Sequence, residues 1–433
     1  MPSTGVERSR SELLHRGLGR ADVVALTLTT IGAGIFTLPA ALAAGAGNWS
    51  LGVLLGTLAL VSVMALCMVE VASRYDVTGG PMVYAGAAFG PLAGFVVGWL
   101  MYLSRLAAFG AIAAVMLDYG SGLWPALDIP AIRTVVVTVG VVGLAAINLR
   151  GVVWGAQANN VLTVAKLLPL ILLALAGLRT VTWTSPDLSA PASIETLSGT
   201  ALIALFACVG FEAPTILAGE MRNPRRDLPR AILGGLAGVG ALYTVLLLVC
   251  VRNVPDLAHA RRPLADAAQT LFGTPGATLM TLTAVFSCAG TLSVGMLALP
   301  RLLYALAAQG DLPRIVAGVN TKWRTPSVAI ATSAVIVWTL TVSGTFVYLA
   351  TFSAMARLLT YASTCAALLV LRRRDGPAPI AIPCGALWGV LALVYTVVAL
   401  GTTSGTEVRD LTVAVILGMA GRSLSTMHRV EGT

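Results

Sequence analysis

The chain has 433 residues, of which 57% are hydrophobic and 11% charged, and its formal charge is +9. So little charge cannot cover the surface of a soluble protein of this length, which excludes a cytosolic enzyme or a soluble binding module. The basic excess is not a nucleic-acid signal either, because the arginines cluster in short segments between apolar runs.

Those runs recur from end to end, and residues Leu51 to Val69, for example, carry no charge. Runs near 20 residues match the hydrocarbon core of a bilayer at about 1.5 Å rise per residue. Their Gly and Ala richness favours packed helices over barrel strands. A basic segment, 1–21, leads into a first span at 22–45. That span is read as a retained membrane helix, because no small-residue cleavage pattern follows its start. Further spans are expected at 49–73, 84–120, 131–148, 153–178, 197–221, 230–252, 272–308, 326–344, 346–371, 380–400 and 406–424. The third and eighth are long enough to tilt or project. Arg409, Asp410 and Arg422 leave the last one only a short apolar stretch. The expected fold is an all-α polytopic membrane protein with about twelve transmembrane helices.

Alternate loops differ in charge. With the first segment inside, the cytoplasmic side gains clusters such as Arg222, Arg225, Arg226 and Arg230, and Arg372, Arg373 and Arg374. The outer side gains few, Arg261 and Arg262 running against the trend. The bias predicts both termini in the cytoplasm. The six cysteines are scattered without a CxxC pair, so neither a disulfide framework nor a metal site is expected. Hydrolase, metalloprotease and nucleotide-binding motifs are missing, and His15, His259 and His428 lie away from mid-span. No catalytic residue and no cofactor is expected, which sets aside an integral membrane enzyme.

Two spans carry breaks. The first contains Ile31-Gly32-Ala33-Gly34-Ile35-Phe36 with Pro39 beyond, and the sixth contains Val209-Gly210-Phe211-Glu212-Ala213-Pro214. Mid-helix Gly costs about 1 kcal/mol and Pro about 3, so both helices should be discontinuous. Unwound backbone at membrane depth must line a cavity or be buried in protein. Paired breaks in corresponding positions point to a transporter's binding site. A half-helix amide end attracts a carboxylate, while freed carbonyls accept from an ammonium. An amino acid carries both groups. Either break alone is also explained by close helix packing.

These stretches resemble the amino acid–polyamine–organocation permeases. The resemblance extends to Thr78-Gly-Gly-Pro-Met-Val-Tyr84, Phe89-Gly-Pro91, Gly219-Glu220, Arg222-Asn-Pro-Arg-Arg226, Pro300-Arg-Leu-Leu-Tyr304 and Gly310-Asp-Leu-Pro313, in family order. It implies two inverted five-helix repeats, 22–178 and 197–371, two peripheral helices over 380–424, and a cytoplasmic tail, 425–433. It implies a substrate held at Thr30, Gly32, Ala33, Gly34, Phe206, Val209 and Gly210. The amides of Ala33 and Gly34 would take the carboxylate, and the carbonyls of Thr30, Phe206 and Val209 the amine. The Phe206 ring would act as a gate. Ala33 stands where many relatives have Ser, so one hydroxyl contact is missing.

Charges inside the spans complete the reading. Of the 28 basic residues only Lys166 and Lys322 are lysines, and Lys166 lies in an otherwise uncharged fifth span. Intramembrane charge is costly and marks function by default. A buried lysine can shed its proton where an arginine cannot. In proton-coupled members of the resembled family a fifth-helix lysine replaces a bound sodium ion, here with the Gly32 carbonyl and Ser287 as partners. A fixed structural clamp and snorkelling to an interface are the other roles open to it. Glu212 can sense protons or fix the unwound backbone. Arg105, mid-span on the third helix, can meet a carboxylate on the substrate or pair with Glu212, and Arg357 poses the same choice. Glu70 and Glu220 can pair with loop arginines, and Trp99, Trp124 and Trp154 read as interfacial anchors. The apolar side chains at the breaks favour a neutral amino acid, carried with protons or by exchange, with no nucleic-acid partner.

Overall fold

The computed structural model describes residues 34–75, 79–151, 156–181, 193–216, 224–403 and 405–430. Among them helix is the only regular secondary structure, with no strand. A short 3-10 turn, Gly34–Phe36, leads into α1 (Leu38–Ala46) and then α2 (Ser50–Ala72). There follow α3 (Pro81–Phe89), α4 (Pro91–Gly120), α5 (Pro130–Leu149), α6 (Ala156–Gly177) and α7 (Ile194–Cys208). After a break come the single turn α8 (Ala213–Ile216), α9 (Pro224–Asn253) and the long α10 (Pro263–Ala308). The chain finishes with α11 (Ser327–Ser343), α12 (Phe346–Asp375), α13 (Gly385–Gly401) and α14 (Gly405–Val430).

Among the described residues six spans, with α1 and α2 counted together as one, are long and apolar enough to cross a membrane. The chain is an all-α polytopic membrane protein. Burial sorts the helices. In its most apolar window α4 is 78% buried, whereas α5 is only 17% buried. α4 therefore runs through the centre, packed on α10, α11 and α12. α5 lies outside, and with α6 and α13 it turns exposed Val135, Val139, Leu168, Leu172, Val394 and Val397 outward. In water such an apolar belt would aggregate; in a bilayer it is the lipid face.

Two expected boundaries and one expected role are corrected. The span at 84–120 is two helices, because Gly90 adopts φ 96° and Pro91 opens α4. Only glycine takes that backbone conformation cheaply, and a proline at the first helical position needs no N–H partner. The segment assigned to the loop 253–271 contains the start of α10, which enters at Pro263 and kinks at Gly273, where φ is 68°. Trp99 is not an interfacial anchor. Its indole Nε1–H donates to the Ala414 carbonyl at 2.8 Å, tying α14 to the centre. Trp124, past the end of α4, is half exposed, and Trp154 lies outside the described residues.

Candidate functional site

The two breaks meet. Thr30, Gly32 and Ala33 lie outside the described residues, but Gly34 is described and buried. A Cβ placed on Gly34 would stand 2.6 Å from the Cα of Ala207 and 2.7 Å from its Cβ. The first break thus touches the backbone of α7 one turn before the second. No side chain larger than hydrogen fits there.

At the second break α7 ends at Cys208, Val209 is extended (φ −77°, ψ 160°), and Gly210 has φ 117°. An interrupted helix strands carbonyls that need partners. Two tyrosines supply them. Tyr243 on α9 donates its hydroxyl to the Ala207 carbonyl at 3.2 Å. Tyr119 on α4 donates to the Phe36 carbonyl at 2.8 Å and accepts from the Leu264 amide at 3.3 Å. Both hydroxyls are buried. Phe206 is buried beside them, with its ring edge-on to Phe346 at 6.0 Å between centroids.

Glu212 is buried, and its carboxylate is fully engaged. Oε1 receives Arg357 Nη1 in an ion pair. Oε2 accepts from the Tyr361 hydroxyl at 2.7 Å and from the Gly210 amide at 3.0 Å. Arg357 Nε donates to Ser104 Oγ at 2.8 Å, and Ser353 Oγ donates to the Ser104 carbonyl at 2.8 Å. The Tyr361 ring lies 4.8 Å from that of Phe211. One carboxylate thereby ties the unwound segment of the second break to α12, and through Ser104 to α4. The predicted pairing of Arg105 with Glu212 is corrected. Glu212 pairs with Arg357, and Arg105 forms no hydrogen bond or ion pair with any described residue.

Ser353, Arg357 and Tyr361 stand four residues apart, a polar stripe along one face of an otherwise apolar helix. That spacing is the sequence signal for a set that charge-by-charge reading missed. Tyr119 and Tyr243 left no comparable signal.

Lys166 belongs to a different place. It is buried on α6, which packs on α9 and α10, with the neutral Cys288 thiol of α10 near it. Ser287, next to Cys288, is buried, but no described group hydrogen-bonds its Oγ. The expected Lys166–Ser287 bond is therefore not formed. Gly32 lies outside the described residues.

At one end of the bundle Glu70 on α2 is fully buried and receives Arg372 of α12 through two bonds of 2.5 Å. The Ile382 amide donates to Glu70 Oε2 at 2.9 Å, and Arg372 Nη2 donates to the Ile382 carbonyl at 2.8 Å. The bidentate fork–carboxylate geometry is the strong form of such a pair. It clamps α2, α12 and the segment entering α13. Glu220 lies outside the described residues. Among the described residues no cluster of His, Cys, Asp and Glu could hold a metal.

The amino acid permease family matches residues 18–421. The serine/threonine exchanger SteT of Bacillus subtilis is 28% identical, over 92% of this chain and 93% of that protein. Uncharacterised transporters of Mycobacterium tuberculosis and Mycobacterium bovis are 30% identical, over 93% of this chain and 90% of theirs.

Proposed function

The chain belongs to the amino acid permease family, and from that premise we propose that it carries an amino acid across the cytoplasmic membrane by alternating access around its two broken helices. The observation that carries this reading is the backbone contact of Gly34 with Ala207. It brings the two breaks together at the centre of the bundle, beside buried charge, as a mid-membrane site requires. The substrate's carboxylate meets the amide end at Ala33 and Gly34. Its ammonium meets the carbonyls of Thr30, Phe206 and Val209, and Phe206 closes over it. The two five-helix units, 22–178 and 197–371, rock against one another, and the basic bias places both termini in the cytoplasm.

Lys166 couples the cycle to protons. Its burial against α10 supports this, since a buried lysine is the basic side chain that can release and regain a proton. Exchange is the second reading, favoured by the name of the Bacillus relative; Lys166 is then a fixed clamp. Glu212, held by three partners, serves as a structural tie in both. The apolar side chains at the breaks favour a neutral amino acid as the substrate.

Reconstituted proteoliposomes separate the readings. A symporter accumulates labelled amino acid in empty vesicles under an imposed pH gradient, and Lys166→Ala abolishes that accumulation. An exchanger needs substrate inside. Gradient-driven uptake that survives Lys166→Ala, or that requires sodium, overturns proton coupling through Lys166.

A further inference from the structure

α5 stands off the centre of the bundle along its middle turns. Its first turn is pinned to α4, where Arg133 Nη2 donates to Asp118 Oδ1 at 2.6 Å and to the Ala114 carbonyl at 3.3 Å. Its last residue is pinned too, by Thr325 Oγ1 donating to the Leu149 carbonyl at 2.9 Å. Trp338 of α11 holds its flank through a 2.8 Å bond from Nε1 to Thr138 Oγ1. Between these ties α4, α5 and α10 bound a cavity of about 320 Å³. Phe109 and Ala113 of α4 and Leu292 of α10, all buried, form its floor. Val139, Gly140 and Gly143 of α5, all exposed, stand at its mouth, on the face that α5 turns to lipid. A Cβ added at Gly140 or Gly143 would meet no atom within 4 Å. Close packing therefore requires neither glycine, although each costs the helix about 1 kcal/mol relative to alanine. What the two glycines leave is room.

The lining decides what can fill it. Among the described residues that line the cavity, Ser293 alone has a polar side chain, and its Oγ donates to the Ala289 carbonyl at 2.8 Å. Water needs two to four polar partners, whereas apolar cavities stay dry and take up hydrocarbon. An amino acid would leave both of its charges unpaired here. Left empty, the space forfeits dispersion contacts for every atom around it. Its mouth faces a solvent made of acyl chains. The α5 wall runs from Val136 to Ile147, about 16 Å at 1.5 Å per residue. That is about half the thickness of a bilayer's hydrocarbon core, the reach of a single chain. We propose that an acyl chain of a bilayer phospholipid fills this cavity as bound lipid and holds α5 against α4 and α10. Lipid tails are as apolar as the wall, so the gain comes from packing and not from release of water. No residue of either break lines the cavity, and a lipid there requires nothing of the substrate or the coupling.

The test is photo-labelling of the full chain in nanodiscs by a phospholipid that carries a diazirine midway along one acyl chain, with the adducts mapped by mass spectrometry. Bulk lipid marks outward side chains such as Val394 in any case. A chain in the cavity also marks the buried Phe109 and Ala113. The double variant Gly140→Leu/Gly143→Leu fills the space, and should lose the marks on Phe109 and Ala113 while keeping those on Val394. Gly56→Leu, at an exposed glycine of α2 that is equally open but does not line the cavity, should change neither. Phospholipid added back to delipidated protein in detergent should raise the melting midpoint of wild type more than that of the double variant. Labelling of wild type decides even where the double variant does not fold: adducts confined to outward side chains overturn the proposal. Equal marks on Phe109 and Ala113 in wild type and in a folded double variant overturn it as well. So does a wild-type dimer that the double variant turns into a monomer, which puts a second copy of the chain at the mouth instead.

Discussion

The Glu212–Arg357 pair should behave as a tie whose two halves are unequal. Glu212→Gln keeps the shape of the side chain but removes the charge, leaving Arg357 buried with Ser104 as its remaining partner and Arg105 as a like-charged neighbour. Removing one member of a buried pair costs about 3–5 kcal/mol, and the second cation puts this change at the upper end. Arg357→Gln leaves a carboxylate that still accepts from Tyr361 and Gly210 and still faces Arg105. It should cost less, about 2–3 kcal/mol, because charge-assisted bonds of about 1.5–3 kcal/mol survive. In the double variant neither lone charge of the pair remains, and the cost should fall short of the sum by about 2–3 kcal/mol. Reversible unfolding in mixed micelles, followed by tryptophan fluorescence, measures all three. Equal single costs that add in the double to within about 0.5 kcal/mol would refute both the pairing and the place given to Arg105.

Gly34→Ala drives a methyl into the backbone of Ala207; it should cost about 1–3 kcal/mol of stability and abolish uptake, measured by melting and vesicle transport. Tyr119→Phe and Tyr243→Phe each leave a buried carbonyl at a break without its donor and should cost about 1–3 kcal/mol apiece, read from the same unfolding curves. Arg372→Ala strands the buried Glu70 carboxylate and should cost about 3–5 kcal/mol. Glu70→Gln combined with Arg372→Ala should recover part of that loss, and a double variant no better than the single one would refute the clamp.

Chain-local physics explains what was legible in the sequence. An uncharged run such as Leu51 to Val69 can only be a buried or lipid-facing helix, and α2 lies where that run lies. The broken helices were legible because glycine and proline act within a turn of their own position, and the extended Val209 and the turn at Gly210 follow from that. Gly90 acts just as locally, yet hydropathy runs through it unbroken, so the division of α3 from α4 is visible only in the backbone angle. Partner choice is another matter. Glu212 and Arg357 stand 145 residues apart, and either could have met Arg105 on composition alone. Helix geometry decides: consecutive residues point about 100° apart around the axis. Once Ser104 faces α12 to meet Arg357 and Ser353, Arg105 is turned about 100° off that seam. The stripe of Ser353, Arg357 and Tyr361, at a spacing of four, fixes which face of α12 receives Glu212. The serine beside Arg105 and the spacing on α12 thus make one argument. The same rotation that gives Glu212 its partner leaves Arg105 without a hydrogen bond or ion pair among the described residues.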